Sequence, residues 1–329
     1  MQGKMLYSDI LSIVDGDTDF TGFKNKTIVI TGASTLLGYY LACAMLVSND
    51  LYSTDITVVA VDANDRLFER YGKLTYRKDI DLIVSRDYSE LTIQKADFII
   101  HGDSFENLDS NSVINLLSFI KKTSATSVIC TDVGVYGDVF NGSDRIFESD
   151  MGYCDFTKPE HNTIQTQRMT ESLAIKLAHD HSLDIKLARL CRIYGADGEG
   201  STFDEIIDNT IHGRNLVVDL KLSMPQSCCY VTDAAEAVLA VLLKGKSAEA
   251  YNIASNCIAS DYHIAMECVG LYPEKELKLI PKGKAELSPM ASTLPVLDIT
   301  KLCSLGFTPR VELSDGVRRC VEITAERSE

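Results

Sequence analysis

Two rhythms of apolar residues alternate along the chain. A β-branched run, Ile28, Val29 and Ile30, stops at Gly32. A helical spacing follows at once, with Leu36, Leu37, Leu41, Ala44 and Met45 recurring every three or four positions. A continuous β-branched run predicts a strand buried on both faces, and the second pattern predicts a helix. The alternation then repeats. Residues 56–61 predict a second strand running into Asp62, 82–85 a third, 98–100 a fourth and 127–130 a fifth. Residues 111–122 and 163–179 predict helices, and 185–190 a sixth strand. Upstream, Leu6, Ile10, Leu11 and Val14 predict a short helix over 6–14. Strands that alternate with helices call for an α/β fold with a doubly wound parallel sheet, covered on both faces.

Past Tyr194 the pattern changes. Residues 203–212 and 234–243 predict helices, and 217–219 and 228–231 short strands. Beyond Tyr251 the elements are shorter and are broken by Pro273, Pro281, Pro289, Pro295 and Pro309. The expected organisation is a nucleotide-binding domain over 1–190 with an N-terminal helical extension. A smaller substrate-binding region over 191–329 interleaves with it.

The first strand–turn–helix unit has a chemical meaning. A helix N-terminus presents free N–H groups and partial positive charge, which suit a pyrophosphate. The candidate cofactor contacts are therefore Gly32, Ser34, Thr35, Leu36, Leu37 and Gly38. The turn is incomplete, because the middle glycine of a G-x-x-G-x-x-G frame is Thr35, whose side chain crowds the place where backbone would touch phosphate.

Charge and cysteine content narrow the classes. The 329 residues carry 32 Lys and Arg against 47 Asp and Glu, a net charge of −15. That balance argues against nucleic acid or an anionic membrane as partner. No apolar run approaches the roughly 20 residues of a membrane span, and residues 1–25 lack a signal-peptide core, so a cytoplasmic protein is expected. The 10 cysteines include no C-x-x-C and read as reduced core thiols, and the 6 histidines show no metal spacing, so no metal site is expected.

Several short motifs, in order, resemble the extended short-chain dehydrogenase/reductase family, specifically its nucleotide-sugar epimerases and dehydratases. Thr31-Gly32-Ala33 with Gly38 is similar to that family's cofactor turn. Ile100-His101-Gly102, Val135-Tyr136-Gly137, Arg189 to Gly195, Tyr230-Val231-Thr232-Asp233 and Tyr251-Asn252-Ile253-Ala254 are similar to later family motifs. The resemblance implies a Rossmann-like fold and NAD as cofactor. Asp62 then accepts the adenosine ribose hydroxyls and disfavours NADP. Asp87 takes the adenine-edge position, and His101 ends the fourth strand beside the cofactor. On the substrate side the resemblance points to Tyr136, Arg192 and Gln226, the last where an Arg often meets the nucleotide phosphates. It further implies a nucleoside-diphosphate sugar or nucleotide as ligand, and a homodimer built on the helix over 163–179, where Ile164, Thr170, Leu173, Ala174 and Leu177 add apolar surface.

The reaction positions depart from the family. Its members use a Tyr base, a Lys four residues later and a Ser or Thr after the fifth strand. Here Gln167-Arg168-Met169-Thr170-Glu171 resembles the K-x-x-x-E of that helix, which puts Gln167 at the Lys and Thr163 at the Tyr. The Ser/Thr position falls on Asp132, with Thr131 one residue earlier and, by strand alternation, on the opposite side. Tyr153 and Lys158 are no substitute, being five apart and followed by Pro159. Three readings stay open: a family member whose usual oxidation is lost or much reduced, an active or redirected enzyme using Asp132 as base, and a non-catalytic protein that binds a nucleotide or stabilises a partner. In the plainest account Asp132 caps a turn or hydrogen-bonds to Thr163 or Gln167.

Overall fold

A computed structural model describes residues 3–93, 95–102, 110–139, 144–196, 201–220, 224–283 and 296–328. Five strands, β1 (Thr27–Thr31), β2 (Thr57–Asp62), β3 (Ile80–Val84), β4 (Phe98–His101) and β5 (Thr126–Asp132), build one half of the chain. They are joined, after the two-residue β6 (Arg145–Ile146), by β7 (Ile185–Leu190). Next come β8 (Arg192–Tyr194), β9 (Leu216–Asp219), β10 (Gln226–Tyr230), β11 (Ala250–Ile253), β12 (Cys257–Ala259), β13 (Leu279–Lys282) and β14 (Val296–Leu297). The central sheet has seven strands in the order β11-β7-β5-β4-β1-β2-β3, all parallel. The order reverses between β1 and β4. In open α/β sheets a ligand crevice opens at such a point, beyond the strands' carboxyl ends.

Period-2 alternation sorts each central strand between two cores. Ile28 and Ile30 of β1 join one buried cluster and Val29 the other. The first cluster packs under α1 (Lys4–Val14), α2 (Leu36–Tyr52) and, after α3 (Arg66–Tyr71), α7 (Val231–Lys244). The second packs under α4 (Ser110–Thr123) and α5 (Asn162–His181). Both faces of β1 are buried, so its residues can be apolar without interruption. α7 begins directly after β10, earlier than the spacing predicts, because Tyr230 ends the strand and stands as N-cap.

Beyond the central sheet, α6 (Thr202–Ile211), α8 (Asp261–Leu271), the single turn α9 (Thr300–Cys303) and α10 (Leu313–Ser328) surround three small sheets. The three-stranded one runs β12-β10-β8, and β13-β9 and β14-β6 pair separately. The β8 strand was not legible as a strand: it follows β7 after one residue and pairs with β10 instead of extending the main sheet. Pro289 and Pro295 lie outside the described residues.

The N-terminal helix is fastened from within. Asp9, 0% exposed, accepts hydrogen bonds from the Tyr40 hydroxyl (3.3 Å), from Arg319 Nη1 (2.9 Å) and from the Tyr230 hydroxyl. Burial pushes its carboxyl above the usual range, against the pull of Tyr230 and Arg319. Met5 N–H also donates to Glu326 Oε2 at 3.1 Å, so α1 meets α10 at two places. Among the described residues no helix is long and apolar enough to cross a membrane.

Candidate functional site

The turn after β1 is built as the spacing predicts. Gly32 has φ +63°, a region open to glycine. A Cβ on Gly38 would sit 2.3 Å from the Gly32 carbonyl oxygen, so only glycine lets α2 approach the turn this closely. Thr35 is the N-cap of α2. Its Oγ1 accepts the Gly38 N–H (3.2 Å) and donates to the Gly32 carbonyl (2.7 Å). The hydroxyl thus consumes one first-turn donor that a phosphate would use. The N–H groups of Leu36 and Leu37 lie in the same first turn and have no partner within the helix itself.

Asp62 ends β2 with 7% exposure. Its Oδ2 accepts the Ser34 N–H (2.8 Å) and its Oδ1 the Asn64 N–H (3.0 Å). The carboxylate therefore pins the turn, and each oxygen keeps lone pairs for a ribose hydroxyl. Asp87, half-buried after β3, accepts from Ser89 N–H and Asn115 Nδ2, both at 2.8 Å, and so ties its loop to α4. At the switch point His101 Nδ1 and Thr31 Oγ1 meet at 2.6 Å across β4 and β1. His101 is fully buried, which pushes its pKa down to about 3, so the ring is neutral. A glycine cradle, helix N–H groups and a carboxylate at the end of β2 suit the adenosine and pyrophosphate part of a dinucleotide.

The reaction end has a different character. Gln167 is 0% exposed and is clamped to Asp132 twice. Its Oε1 accepts the Asp132 backbone N–H (3.0 Å) and its Nε2 donates to Asp132 Oδ2 (2.7 Å). Asp132 Oδ1 accepts the Gly134 N–H (2.6 Å), which caps the 3-10 turn Val133–Tyr136. The carboxylate therefore both caps a turn and holds Gln167. Thr163 lies half-buried one turn before Gln167 on α5.

Thr131 does not point away from this helix, as alternation predicts. Its Oγ1 donates to Glu171 Oε1 at 2.9 Å, one turn beyond Gln167. Thr131 follows Ile129 onto the α5 side, and the alternation breaks at Asp132, where β5 ends and the chain turns at once. Sequence reasoning missed what Glu171 does. Buried at 4%, it takes a bidentate pair from Arg189, Nε to Oε1 at 3.0 Å and Nη2 to Oε2 at 2.7 Å. Arg189 is thus an interior residue, not a surface one, and its guanidinium lies 4.8 Å from the Tyr136 ring centroid. The K-x-x-x-E spacing carried the signal, since Gln167 and Glu171 are four apart and share a face.

The substrate-side residues divide. Tyr136 departs from the expectation: it is 1% exposed, with its hydroxyl bonded to Asn252 and its pKa pushed up to about 12 by burial. It braces the turn after β5 against β11 and does not line an open wall. Arg192 pairs with Asp261 at the start of α8. Gln226 is half-buried at the start of β10, so the structure gathers Arg192 and Gln226 on the small three-stranded sheet. Tyr153 and Lys158 are exposed and outside any helix. Among the described residues no cluster of three or more His, Cys, Asp or Glu side chains could hold a metal.

On α5, Thr170 and Ala174 face inward and are buried, contrary to an outward role. Leu173 and Leu177 instead line a groove of about 300 Å³ with Ile114 and Leu117 of α4.

Comparison with known proteins agrees with this fold. UDP-glucuronic acid decarboxylase 6 of Arabidopsis thaliana is 22% identical over 316 residues, covering 89% of this chain and 87% of that protein. The structure of dTDP-glucose 4,6-dehydratase from Bacillus anthracis in complex with NAD superposes with a TM-score of 0.72 at 16% identity, over 90% of this chain and 96% of the other. UDP-glucuronic acid 4-epimerase from Bacillus cereus, in complex with UDP-glucuronic acid and NAD, gives 0.69 at 18% identity, over 92% and 99%. The profile of the NAD dependent epimerase/dehydratase family matches residues 28–254, and the chain belongs to that family.

Proposed function

We propose that this protein binds a nucleoside-diphosphate sugar and NAD, and that the family's hydroxyl oxidation is lost or much reduced. The observation that carries the reading is the double clamp between Gln167 and Asp132. Oxidation needs a group to take the hydroxyl proton as hydride leaves the same carbon, and NAD, when bound, supplies the hydride acceptor. Thr163 has too high a pKa to serve as base, and Gln167 brings no charge to lower it. Both polar ends of Gln167 are already spent on Asp132, so it has little left to hold a ribose.

Gly32, Gly38, Leu36 and Leu37 would hold the pyrophosphate, and Asp62 the adenosine ribose. A 2′-phosphate would meet the Asp62 carboxylate, so NAD binds in preference to NADP. Affinity is modest, because Thr35 takes a first-turn donor and the uncharged Gln167 stands where the family's lysine would hold the ribose. Asp87 and His101 shape the adenine and nicotinamide ends. Arg192 and Gln226 recognise the sugar nucleotide, Arg192 by exchanging Asp261 for a phosphate. We read 1–190 and 191–329 as interleaved segments, a reading supported by β11, which comes from the second and lies at the edge of the seven-stranded sheet. The apolar groove between α4 and α5 supports a two-fold homodimer through those helices.

Two measurements on the purified protein test the reading. Calorimetry should give saturable binding of NAD and of UDP- or dTDP-hexose, and product analysis should show negligible turnover. Turnover abolished by Asp132→Asn would replace the silent reading with an enzyme that uses Asp132 as base. Failure to bind either ligand would remove the nucleotide reading altogether.

A further inference from the structure

The small sheet that carries Arg192 also brings two thiols together. Cys228 of β10 lies directly opposite Cys257 of β12 in the antiparallel register. Their sulfurs are 3.1 Å apart, with the Cys228 thiol donating to Cys257 Sγ. Ser255 bridges the pair: Cys257 N–H donates to Ser255 Oγ (3.1 Å), and the Ser255 hydroxyl donates to the Cys228 carbonyl (2.7 Å). Directly opposed residues of antiparallel strands have Cα atoms about 4.5–5.5 Å apart, within the span a disulfide bridges. Cys257 is also partly open to solvent, whereas Cys43, Cys130, Cys191, Cys229, Cys268 and Cys320 are buried.

We propose that Cys228 and Cys257 form a reversible dithiol–disulfide site that small organic disulfides oxidise. The Cys257 thiolate attacks one sulfur of the oxidant, the oxidant's S–S bond breaks and one small thiolate leaves. Cys228 then loses its proton to solvent and attacks Cys257 Sγ of the mixed disulfide, which releases the second small thiol. The protein gives up two electrons and two protons, and one oxidant disulfide becomes two thiols. Cys257 is the attacking sulfur because it is the accessible one. The hydrogen bond from Cys228 holds its pKa below the usual thiol value. The bond would tie β12 to β10 just ahead of Asp261, the anchor of Arg192.

The test uses the full chain in native buffer. The reduced protein is incubated with excess oxidised glutathione, quenched in acid, alkylated and digested. The expected result is an intact mass lower by two hydrogens with no retained glutathione, and a peptide containing Cys228 bridged to one containing Cys257. Cys257→Ser should abolish the bridge, Cys229→Ser should leave it, and Cys228→Ser should trap glutathione on Cys257. The proposal is overturned if wild-type protein keeps a stable glutathione adduct at Cys257. It is equally overturned if only the exposed Cys303 reacts, or if the bridge joins another pair. Fragmentation of the bridged wild-type peptides, which tells Cys228 from the adjacent Cys229, decides these outcomes whether or not every variant folds.

Discussion

Replacing Asp132 by Asn separates a structural carboxylate from a catalytic one. The carboxylate accepts two hydrogen bonds, from Gly134 N–H at 2.6 Å and from Gln167 Nε2 at 2.7 Å. An Asn offers one oxygen. If that oxygen keeps Gly134, its NH₂ faces the NH₂ of Gln167, donor against donor. If Gln167 turns over to present its oxygen, its NH₂ then faces the Asp132 backbone N–H, which it now accepts at 3.0 Å. Neither arrangement satisfies both contacts. A hydrogen bond to a charged group is worth about 1.5–3 kcal/mol, and a buried donor left unpaired costs about 1–3 kcal/mol. Asp132 itself is exposed, so water recovers part of that, and Gln167 is not. The net expectation is a loss of about 1–3 kcal/mol. Urea unfolding reads it as a lower midpoint with unchanged slope. A double-mutant cycle with Gln167→Leu should then show coupling of at least about 1 kcal/mol between the two positions. The reasoning is refuted if Asp132→Asn unfolds like wild type yet lowers measurable sugar-nucleotide turnover by about 10²-fold or more, the signature of a lost base.

Three further outcomes follow from the same geometry. Glu171→Ala strands the Arg189 guanidinium beside Tyr136 and should cost about 3–5 kcal/mol in the same unfolding assay, with Glu171→Ala/Arg189→Met recovering part of it. His101 has its folded pKa depressed from 6.5 to about 3, so its contribution to stability is complete above pH 6.5 and is lost as pH falls toward 3. Between pH 6.5 and 5 wild type should therefore lose about 2 kcal/mol more than His101→Asn does, and equal losses would contradict a buried neutral ring. Thr35→Gly with Gln167→Lys should tighten NAD binding by roughly tenfold or more, since one charged hydrogen bond is gained. No gain in calorimetry would mean that another contact limits affinity.

How far the sequence reveals this depends on whether the information is local. The strand over residues 185–190 was legible to the residue, because Ile185, Leu187, Ala188 and Leu190 are apolar and the strand meets sheet on both sides. Lys186 sits buried inside that strand, its Nζ held by Asp184 (2.6 Å) and the Leu242 carbonyl (3.0 Å), and nothing local announces the second of these. The turn from Gly32 to Gly38 was legible for the same local reason as the strand before it. The link between Thr131 and Glu171 was not, because it depends on where a strand stops, a matter of tertiary packing. Likewise Tyr136 sits in a motif like any other, and only the arrival of Asn252, 116 residues later, takes its hydroxyl inside.

The fastening of α1 has a consequence for the order in which this protein forms. Asp9 is completed by Arg319, 310 residues along the chain, and Met5 by Glu326, 321 residues along. During synthesis α1 leaves the ribosome carrying a carboxylate whose guanidinium has yet to be made. Until then Asp9 favours water over the interior, since an unpaired buried charge is costly. The central strands can pair beforehand, because their contacts span shorter loops and close more readily. Residues 4–14 are thus made long before they dock, and they seat only when the helix over 313–328 arrives to meet them.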